Sequence, residues 1–520
     1  MCNRIRKRGA GRMFRRSASS SQPDLFSSFE SHFKGPKQNQ LNDPAAWHNL
    51  FYQHITSEID EDVFSVLFDA DIGRPNAPIR HLVSMMILKE GFGWSDAQLF
   101  EQCRFNILVM RALGLMNLYD EVPVESTYYL FKQSLYAYQV KMGRDLVGET
   151  FSTLTKTQAN AFGVVGQQIR MDSKLIGSNI ATCCRLQLVV CCLHHFWRSL
   201  DKNQKGRLSA KNQQVLDDLL KVKPHQVVYR LTSVEKGEKL QELGLLLSRL
   251  QEAYTDKDSD QYDRILRVFA DQYTVLSSQK EVLPKLPEEI SSSSLQSVND
   301  ADAAFRRKGE DKVKGYSVNL TETCNEEGLN LITDVEVKPA TAPDNEFVQP
   351  AIERTQQVVG EVLEVSMDGA YNDASNTEYA EKKGKQLHYS GLQGRRGRLI
   401  YERTPEGIEV IDRHTGDVQL AQEYKPGKYK IIIDGKLRYF REQDIENYIK
   451  RKQIEELPAH IRNRRNNVEA SIFQLSYYTK DGKTRYRGLI PHQLWSWCRG
   501  LWVNLVRIKN YLTQPELIPA

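Results

Sequence analysis

The sequence predicts a mixed α+β or α/β protein in which one sheet-based core is interrupted by two inserted segments. Two observations predict this class. Apolar residues recur at three- and four-residue spacing before position 162 and from about 185 to 290, which indicates helices. Short β-branched runs with period two lie between and after these helices. The chain has 520 residues, 40% hydrophobic and 26% charged, which is ordinary for a water-soluble globular protein with several structural units.

The first 45 residues are basic and then rich in Ser and Gln, with little periodicity. This composition predicts a disordered basic arm over residues 1–45. No apolar segment follows the basic residues, so the arm is not a signal peptide. No apolar run approaches the roughly 20 residues of a membrane-spanning helix. The eight cysteines include no CxxC pair, which is typical of a reduced, cytoplasmic protein.

Residues 46–162 are predicted to form a helical domain. Within it, PIRHLVSMMILKEGFGWSDAQLFEQC indicates two helices joined by a turn. Gly91 and Gly93 would break the first helix, and Ser95 or Asp96 would cap the second. This pattern fits a DNA-binding helix-turn-helix, but a helical hairpin that only packs is the somewhat better interpretation because such hairpins are common. Ser126 is a candidate N-cap for the helix that follows.

The later segments predict a core assembled from distant pieces. GVVGQQIRMDSKLI indicates a strand with Asp172 at its end, and VLEVSMDGAY indicates a strand that ends at Asp368. Glu469 lies on a predicted helix within RRNNVEASIFQLSYY. The predicted units are core segments 163–185 and 300–384, a helical insert at 186–299, a β-rich insert at 385–441, and a closing core segment at 442–520 with C-terminal helices.

Three carboxylates therefore occur at positions where folds of this class place their sites. Taken singly, Asp172 and Asp368 are explained as strand-end caps, and Glu469 as a solvated helix residue. Taken together, they match the hard oxygen ligands that Mg²⁺ prefers. Two such ions about 4 Å apart can activate an attacking oxygen and neutralise charge during phosphodiester transfer.

The motifs IRMDSKLIGSNIA, KGYSVNLTETCN, VSMDGAYND and RRNNVEASIFQLSYY occur in this order. Together they resemble the DDE transposases of bacterial insertion sequences, which have an RNase H-like catalytic core. The group named for insertion sequence eleven-eighty-two is the most similar. The region from about 45 to 140 resembles that group's N-terminal domain of unknown function seven-seven-two. The resemblance covers roughly residues 45–511.

This resemblance implies a function, a site and partners. Asp172 would lie on the first core strand, Asp368 after the fourth, and Glu469 on the following helix. These three residues would be catalytic and would hold two Mg²⁺ ions, with Mn²⁺ able to substitute. The protein would cleave double-stranded DNA at the terminal inverted repeats of a transposon and join it to target DNA. It would act as a homodimer in the bacterial cytoplasm, at the nucleoid.

Two other functions remain open at this stage. A catalytically inactive or domesticated descendant would bind DNA without cutting it. A nuclease with the same core would cut DNA and never join it. The presence of all three acids favours the active transposase.

The sequence departs from the wider superfamily pattern Y-x2-R-x3-E-x6-K around the last acid. Arg465 and Glu469 fit this pattern, whereas Arg462 stands at the Tyr position and Ser476 at the Lys position. The contacts to a terminal phosphate that the resemblance assigns to Tyr and Lys are therefore in question. The candidate replacements are Arg464, Arg485 and Arg487.

Basic residues provide further candidates for DNA contact. Arg462, Arg464 and Arg465 are predicted to share one helical turn beside Glu469, where they could bind phosphate or form a solvated face. The segment LQGRRGR, which contains Arg395 and Arg396, fits a phosphate-contacting loop or a plain hairpin turn.

A group of cysteines and histidines raises the question of zinc. Its members are Cys183, Cys184, Cys191, Cys192, His194 and His195. Adjacent cysteine pairs lack the usual zinc-ligand spacing, so buried cysteines on a packed helix are the better interpretation.

Overall fold

The computed structural model describes residues 12–69, 73–276, 281–326, 328–392, 394 and 397–513. Within these ranges, helices and several separate sheets alternate along the chain, which confirms the mixed α/β class. No helix of the described residues is long and apolar enough to span a membrane.

The N-terminal region is almost entirely helical. It begins with strand β1 (Arg12–Met13), which pairs in parallel with β2 (Arg74–Pro75). A π turn at Tyr52–Thr56 and a 3-10 turn at Glu61–Leu67 connect its helices. The helices are α1 (Phe29–His32), α2 (Pro36–Asn42), α3 (Trp47–Phe51), α4 (Ile79–Phe92), α5 (Asp96–Phe105), α6 (Ile107–Ala112), α7 (Glu125–Met142) and α8 (Leu146–Ala161).

Residues 12–45, expected to be disordered, instead pack against this region. The Asp24 backbone N–H donates to Asn117 Oδ1 at 2.7 Å, and Ser21 Oγ donates to Asp120 at 2.5 Å. Phe29 is buried. These contacts reach a loop almost 100 residues away, so local composition could not reveal them. Residues 1–11 of the expected arm lie outside the described residues.

The predicted helix pair is present as α4 and α5. Gly93 ends α4 with φ 70°, and Ser95 caps α5 in a reciprocal capping box with Gln98. Gly91 lies inside α4 and does not break it, contrary to the expectation. The N-cap of α7 is Val124, so the prediction of Ser126 at that position was wrong.

After β3 (Gln168–Gly177) the chain enters the helical insert. The insert ends in a hairpin of β4 (Tyr273–Leu276) and β5 (Glu281–Pro284), followed by a 3-10 turn at Pro287–Glu289. Its buried side chains form a hydrophobic core of their own, to which Cys192 belongs. The helices are α9 (Arg185–Ser199), α10 (Lys202–Lys205), α11 (Ala210–Leu220), α12 (Pro224–Tyr229), α13 (Ser233–Ala253) and α14 (Asp260–Gln272).

A six-stranded sheet forms the centre of the described structure. Its strands besides β3 are β6 (Ala304–Lys308), β7 (Asp311–Thr323), β8 (Ile332–Pro339), β9 (Glu364–Met367) and β10 (Gln386–Tyr389). The order is β10-β9-β3-β7-β6, and β8 also pairs with β7. β3, β9 and β10 are parallel, whereas β7 runs antiparallel to β3, and β6 and β8 run antiparallel to β7.

Helices and short turns connect the last strands of this sheet. α15 (Val348–Val359) follows a 3-10 turn at Asp344–Phe347 and joins β8 to β9. A 3-10 turn at Gly369–Tyr371 and α16 (Ala374–Lys382) join β9 to β10. The parallel strands β9 and β10 are thus each reached by a helical crossover.

The β-rich insert is shorter than expected, because β10 at its predicted start belongs to the central sheet. It contains two three-stranded antiparallel sheets that share a small core around Val410, Ile431 and Phe440. The strands are β11 (Leu399–Thr404), β12 (Gly407–Asp412), β13 (Val418–Leu420), β14 (Gln422–Lys425), β15 (Lys428–Ile433) and β16 (Lys436–Arg441).

Four helices complete the described chain, with a 3-10 turn at Arg464–Asn467 between the second and the third. They are α17 (Glu442–Glu456), α18 (Ala459–Asn463), α19 (Val468–Ser476) and α20 (Leu489–Thr513). α20 packs on both β8 and the N-terminal helices. Its Trp502 lies 4.5 Å from the Phe92 ring, and its Trp497 lies 4.6 Å from Phe151. The N-terminal region, the sheet and α20 therefore share one hydrophobic core.

Candidate active site

Two of the predicted acids lie side by side on neighbouring strands. Asp172 is in the middle of β3 and not at its end, because β3 continues beside β7 as far as Gly177. β3 and β9 pair in parallel with Arg170 opposite Ser366. Two residues further along this register, Asp368 follows the last residue of β9 and comes level with Asp172.

The residue after Asp368 is a glycine for a steric reason. A Cβ at Gly369 would overlap the backbone of Gly391, so a side chain cannot be accommodated there. The turn that follows Asp368 is thereby packed closely against the segment after β10.

Arg465 joins the third acid to the first. It lies in the 3-10 turn before α19, and its Nη2 donates to Asp172 Oδ2 at 2.5 Å. Its Nη1 donates to Glu469 Oε1 at 3.0 Å. The side chain of Asp172 is 12% exposed and that of Glu469 is 64% exposed. The guanidinium thus links a buried acid on the sheet to a solvent-facing acid on the helix.

Burial and charge act against each other in this cluster. Burial raises the pKa of Asp172, although Arg465 and the backbone N–H of Ser173 counteract part of that effect. Burial opposes the charge of Arg465, but Asp172, Asp368 and Glu469 together raise the pKa of its guanidinium. All three acids therefore act on one cation.

The three carboxylates fit Mg²⁺ in their chemistry, since hard oxygen atoms are its preferred ligands. Their arrangement differs from a formed metal site. Among the residues that the structure describes, no three His, Cys, Asp or Glu side chains are close enough to hold one ion. Arg465 lies between Asp172 and Glu469, so its guanidinium must move before both acids can bind the same metal.

The other arginines of the predicted turn are placed differently. Arg464 is 10% exposed in its side chain, and its Nη1 donates to Glu364 at 2.6 Å. It is therefore held inside the protein and does not form a phosphate-contacting surface with Arg465. Arg462 is half-buried, and its Nη1 donates weakly to the backbone oxygen of Glu455 at 3.5 Å. The single helical turn that was expected is broken by the 3-10 segment.

Two further predicted DNA-binding arginines, Arg485 and Arg487, form no ion pair with the three acids. Arg485 is exposed, and its Nη2 donates to the Gly93 backbone oxygen at 2.7 Å, which braces the α4–α5 turn. Arg487 is also exposed, and its Nε donates to the Asn179 backbone oxygen at 2.6 Å. Arg395 and Arg396 lie outside the described residues.

Lys174 lies close to the acids, although its sequence context did not mark it as a candidate. Its Nζ donates to Ser476 Oγ at 2.8 Å, and burial lowers the pKa of its ammonium group. Lys174 lies two residues after Asp172 on the same strand, so both side chains point to the face that α19 covers. Ser476 stands at the Lys position of the superfamily pattern, and Lys174 brings an ammonium group to that same place. The i, i+2 spacing within MDSK was the available signal.

A buried ion network that the sequence also did not reveal supports α19. Glu322 on β7 is fully buried and accepts from Arg170 at 2.6 Å and from Ser471 at 2.6 Å. Arg507 on α20 lies 2.8 Å from the same carboxylate. Two cations and a hydroxyl compensate the buried charge, which fixes α19 against β3, β7 and α20.

The comparisons with known proteins concern the N-terminal helices. Residues 39–134 match the family model described as transposase domain (DUF772). This match covers the segment from within α2 to within α7 and shows similarity to transposase proteins. No curated protein and no solved structure matches the chain.

Proposed function

We propose that this protein is a DDE transposase that cleaves DNA at transposon ends and joins those ends to target DNA. The observation that carries the proposal is the convergence of Asp172, Asp368 and Glu469 on Arg465. It occurs in a chain whose residues 39–134 are similar to a transposase domain. Double-stranded DNA is the substrate, and the proposed enzyme acts as a homodimer at the bacterial nucleoid.

The strand order supports an RNase H-like catalytic core. Without β6, the central sheet has five strands in the chain order β3, β7, β8, β9 and β10. Asp172 lies on the first of these strands, and Asp368 directly follows the fourth. Glu469 lies on α19, which packs on the first strand. This is the arrangement that the resemblance to insertion-sequence transposases implies.

The proposed chemistry assigns a role to each charged residue. Asp172, Asp368 and Glu469 would hold Mg²⁺, which activates the attacking oxygen and neutralises charge on the phosphate. Lys174 and a displaced Arg465 would face the scissile phosphate and position it for in-line attack.

The test uses purified protein, a labelled transposon end, a target plasmid and Mg²⁺. We expect Asp172→Asn and Asp368→Asn to lose cleavage and joining while end binding persists, because phosphate contacts lie mainly on other residues. Asp417→Asn, an exposed acid of the β-rich insert, is the matched control and should retain activity. Cleavage by either active-site variant at the wild-type rate would disprove the assignment.

A transposase-derived DNA-binding protein without catalysis is the second candidate. The ion pairs of Arg465 with Asp172 and Glu469 favour it, because they occupy the acids. A wild-type protein that binds end DNA and never nicks it in Mg²⁺ would support this candidate. A wild-type protein that nicks without joining would instead support a nuclease.

A further inference from the structure

One face of the second sheet in the β-rich insert points to solvent. In β15 the buried residues Ile431 and Ile433 alternate with Lys428, Lys430 and Ile432, so the latter three point outward. Cross-strand pairing extends this outward face to both neighbouring strands. We call it the basic sheet face, and its residues are Gln422, Tyr424, Lys425, Lys428, Lys430, Ile432, Leu437, Tyr439 and Arg441.

The basic sheet face carries charge of one sign. Its cations are Lys425, Lys428, Lys430 and Arg441, and no residue of the face is a carboxylate. None of these four forms an ion pair with another described residue, whereas Arg398, just before β11, and Arg403 on β11 are paired with acids. Positive charge on this face is therefore left uncompensated within the described structure.

The placement of these cations opposes the stability of the sheet. Lys428 on β15 lies directly opposite Arg441 of β16, and it also lies opposite Lys425 of β14. Like charges at directly opposed positions destabilise a β-sheet. A local feature that lowers the stability of the fold, with no stabilising contact to offset the loss, is typical of a binding surface.

The remaining side chains suit a polyanion with a broad surface. Tyr424 and Tyr439 are both exposed and meet edge to face with ring centroids 5.4 Å apart, so their hydroxyls can donate to phosphate oxygens. Three strands of four to six residues span about 10 Å by 20 Å, which covers roughly half a turn of duplex DNA.

We propose that the basic sheet face binds the phosphate backbone of double-stranded DNA without reading its sequence. Lysine is a point charge on a flexible stem and favours backbone neutralisation over base recognition. The inference rests on the proposed function, which supplies DNA as the partner, and it assigns a contact surface separate from the carboxylates.

The experiment measures binding to random-sequence duplex DNA at several salt concentrations, without Mg²⁺, so that catalysis does not enter. Lys428→Glu with Lys430→Glu is the test variant. The matched control is Lys436→Glu with Arg438→Glu, which makes the same charge change on the same hairpin. These two residues do not belong to the basic sheet face, because they pair across the strands with the inward-facing Ile433 and Ile431. We expect the salt slope to fall by about one unit for each lost contact in the test variant and to stay unchanged in the control.

Thermal unfolding separates binding from folding. Lys428→Glu removes the repulsion with Arg441 and Lys425, so the melting temperature of the test variant should not fall. Lys428→Gln with Lys430→Gln provides a second variant that introduces no new charge. We expect the same decrease in the salt slope of DNA binding for this variant.

Two outcomes would overturn the inference. One is an unchanged salt slope in both variants while the wild type binds duplex DNA. The other is a change of oligomeric state on sedimentation with DNA binding intact, which would assign the face to a second copy of the chain. A wild type that binds no duplex DNA would instead refute the proposed function itself.

Discussion

At the scale of single residues, Arg465 gives the candidate site its present form. Its guanidinium is hydrogen-bonded to Asp172 and Glu469 and lies within electrostatic reach of Asp368. It therefore acts as an internal counter-ion for carboxylates that a divalent metal would otherwise neutralise. A DNA phosphate brought to the site would compete for the same guanidinium, because Arg binds phosphate and carboxylate with similar geometry.

We predict that Arg465→Ala binds Mn²⁺ more tightly than the wild type when no DNA is present. A charge-assisted hydrogen bond worth about 1.5 kcal/mol corresponds to roughly a tenfold difference in affinity. Calorimetric titration with Mn²⁺ measures this, and Arg462→Ala is the control because Arg462 contacts none of the three acids. Equal affinity in the wild type and Arg465→Ala would show that the ion pairs do not restrict metal binding.

The sequence predicts the three acids as a set, but it does not predict what surrounds them in the structure. Asp172, Asp368 and Glu469 stand out only together, within the ordered motifs that resemble insertion-sequence transposases, because each acid alone is explained as a strand-end cap or a solvated residue. Arg464 and Arg465 are adjacent in sequence, yet one is buried against Glu364 and the other reaches Asp172. That difference depends on the 3-10 turn and on which strand α19 packs against, and no local pattern reports either of these.

At the scale of secondary-structure elements, two cationic side chains of β3 hold α19 and the 3-10 turn before it. Along β3, Arg170 donates to the Arg464 backbone oxygen at 3.4 Å, and Lys174 donates to Ser476. The strand thus supplies a cation at the end of α19 where the superfamily pattern has a lysine on the helix. What matters physically is the position of the charge, and either element can provide it.

We predict that the cation can be exchanged between these two elements. Lys174→Ser should reduce cleavage of end DNA by about tenfold or more, since one phosphate contact is lost. Adding Ser476→Lys to that variant should restore most of the rate, because the ammonium group returns to the same place from α19. Cleavage assays on the wild type, both single variants and the double variant form a double-mutant cycle.

Additive losses in that cycle, without rescue in the double variant, would contradict the exchange. Lys480→Ser, which removes an exposed cation just after α19, serves as the control for a general loss of positive charge.

The secondary-structure elements show which features a local sequence pattern predicts and which it does not. Helix capping at Ser95 followed from local chemistry, and the structure agrees. β10 was assigned to the β-rich insert because short strands with period two look alike whichever sheet they join. Its true partner is β9, which a helical crossover separates from it along the chain. Long-range pairing of this kind is not encoded in any single segment.

At the scale of the whole molecule, the transposase-like region is part of a larger core. Gly91 on α4 lies against Trp502 on α20, and a Cβ at position 91 would overlap the indole ring. Deleting residues 45–140 would therefore expose the apolar face of α20. Point variants are the better way to separate DNA recognition from folding.

We predict that Gly91→Ala destabilises the N-terminal region, the sheet and α20 together. Overpacking of this kind costs about 1–3 kcal/mol, and a shared core should lose that stability in one cooperative transition. Gly237→Ala is the matched control, since this helical glycine has open space around it and alanine should stabilise α13 by up to about 1 kcal/mol. Calorimetry measures the melting temperature of both variants. An unchanged melting temperature in Gly91→Ala would refute the shared core.

The packing of α20 on α4 also has a consequence for synthesis on the ribosome. The N-terminal helices emerge first, but the helix that covers them begins only at Leu489. At translation rates of about 5–20 residues per second, the nascent N-terminal helices wait on the order of half a minute with an apolar surface uncovered. Chaperones that bind exposed apolar segments have that interval in which to act. A ribosome that stalls before Leu489 leaves a chain that cannot complete its core, whatever its DNA-contacting residues.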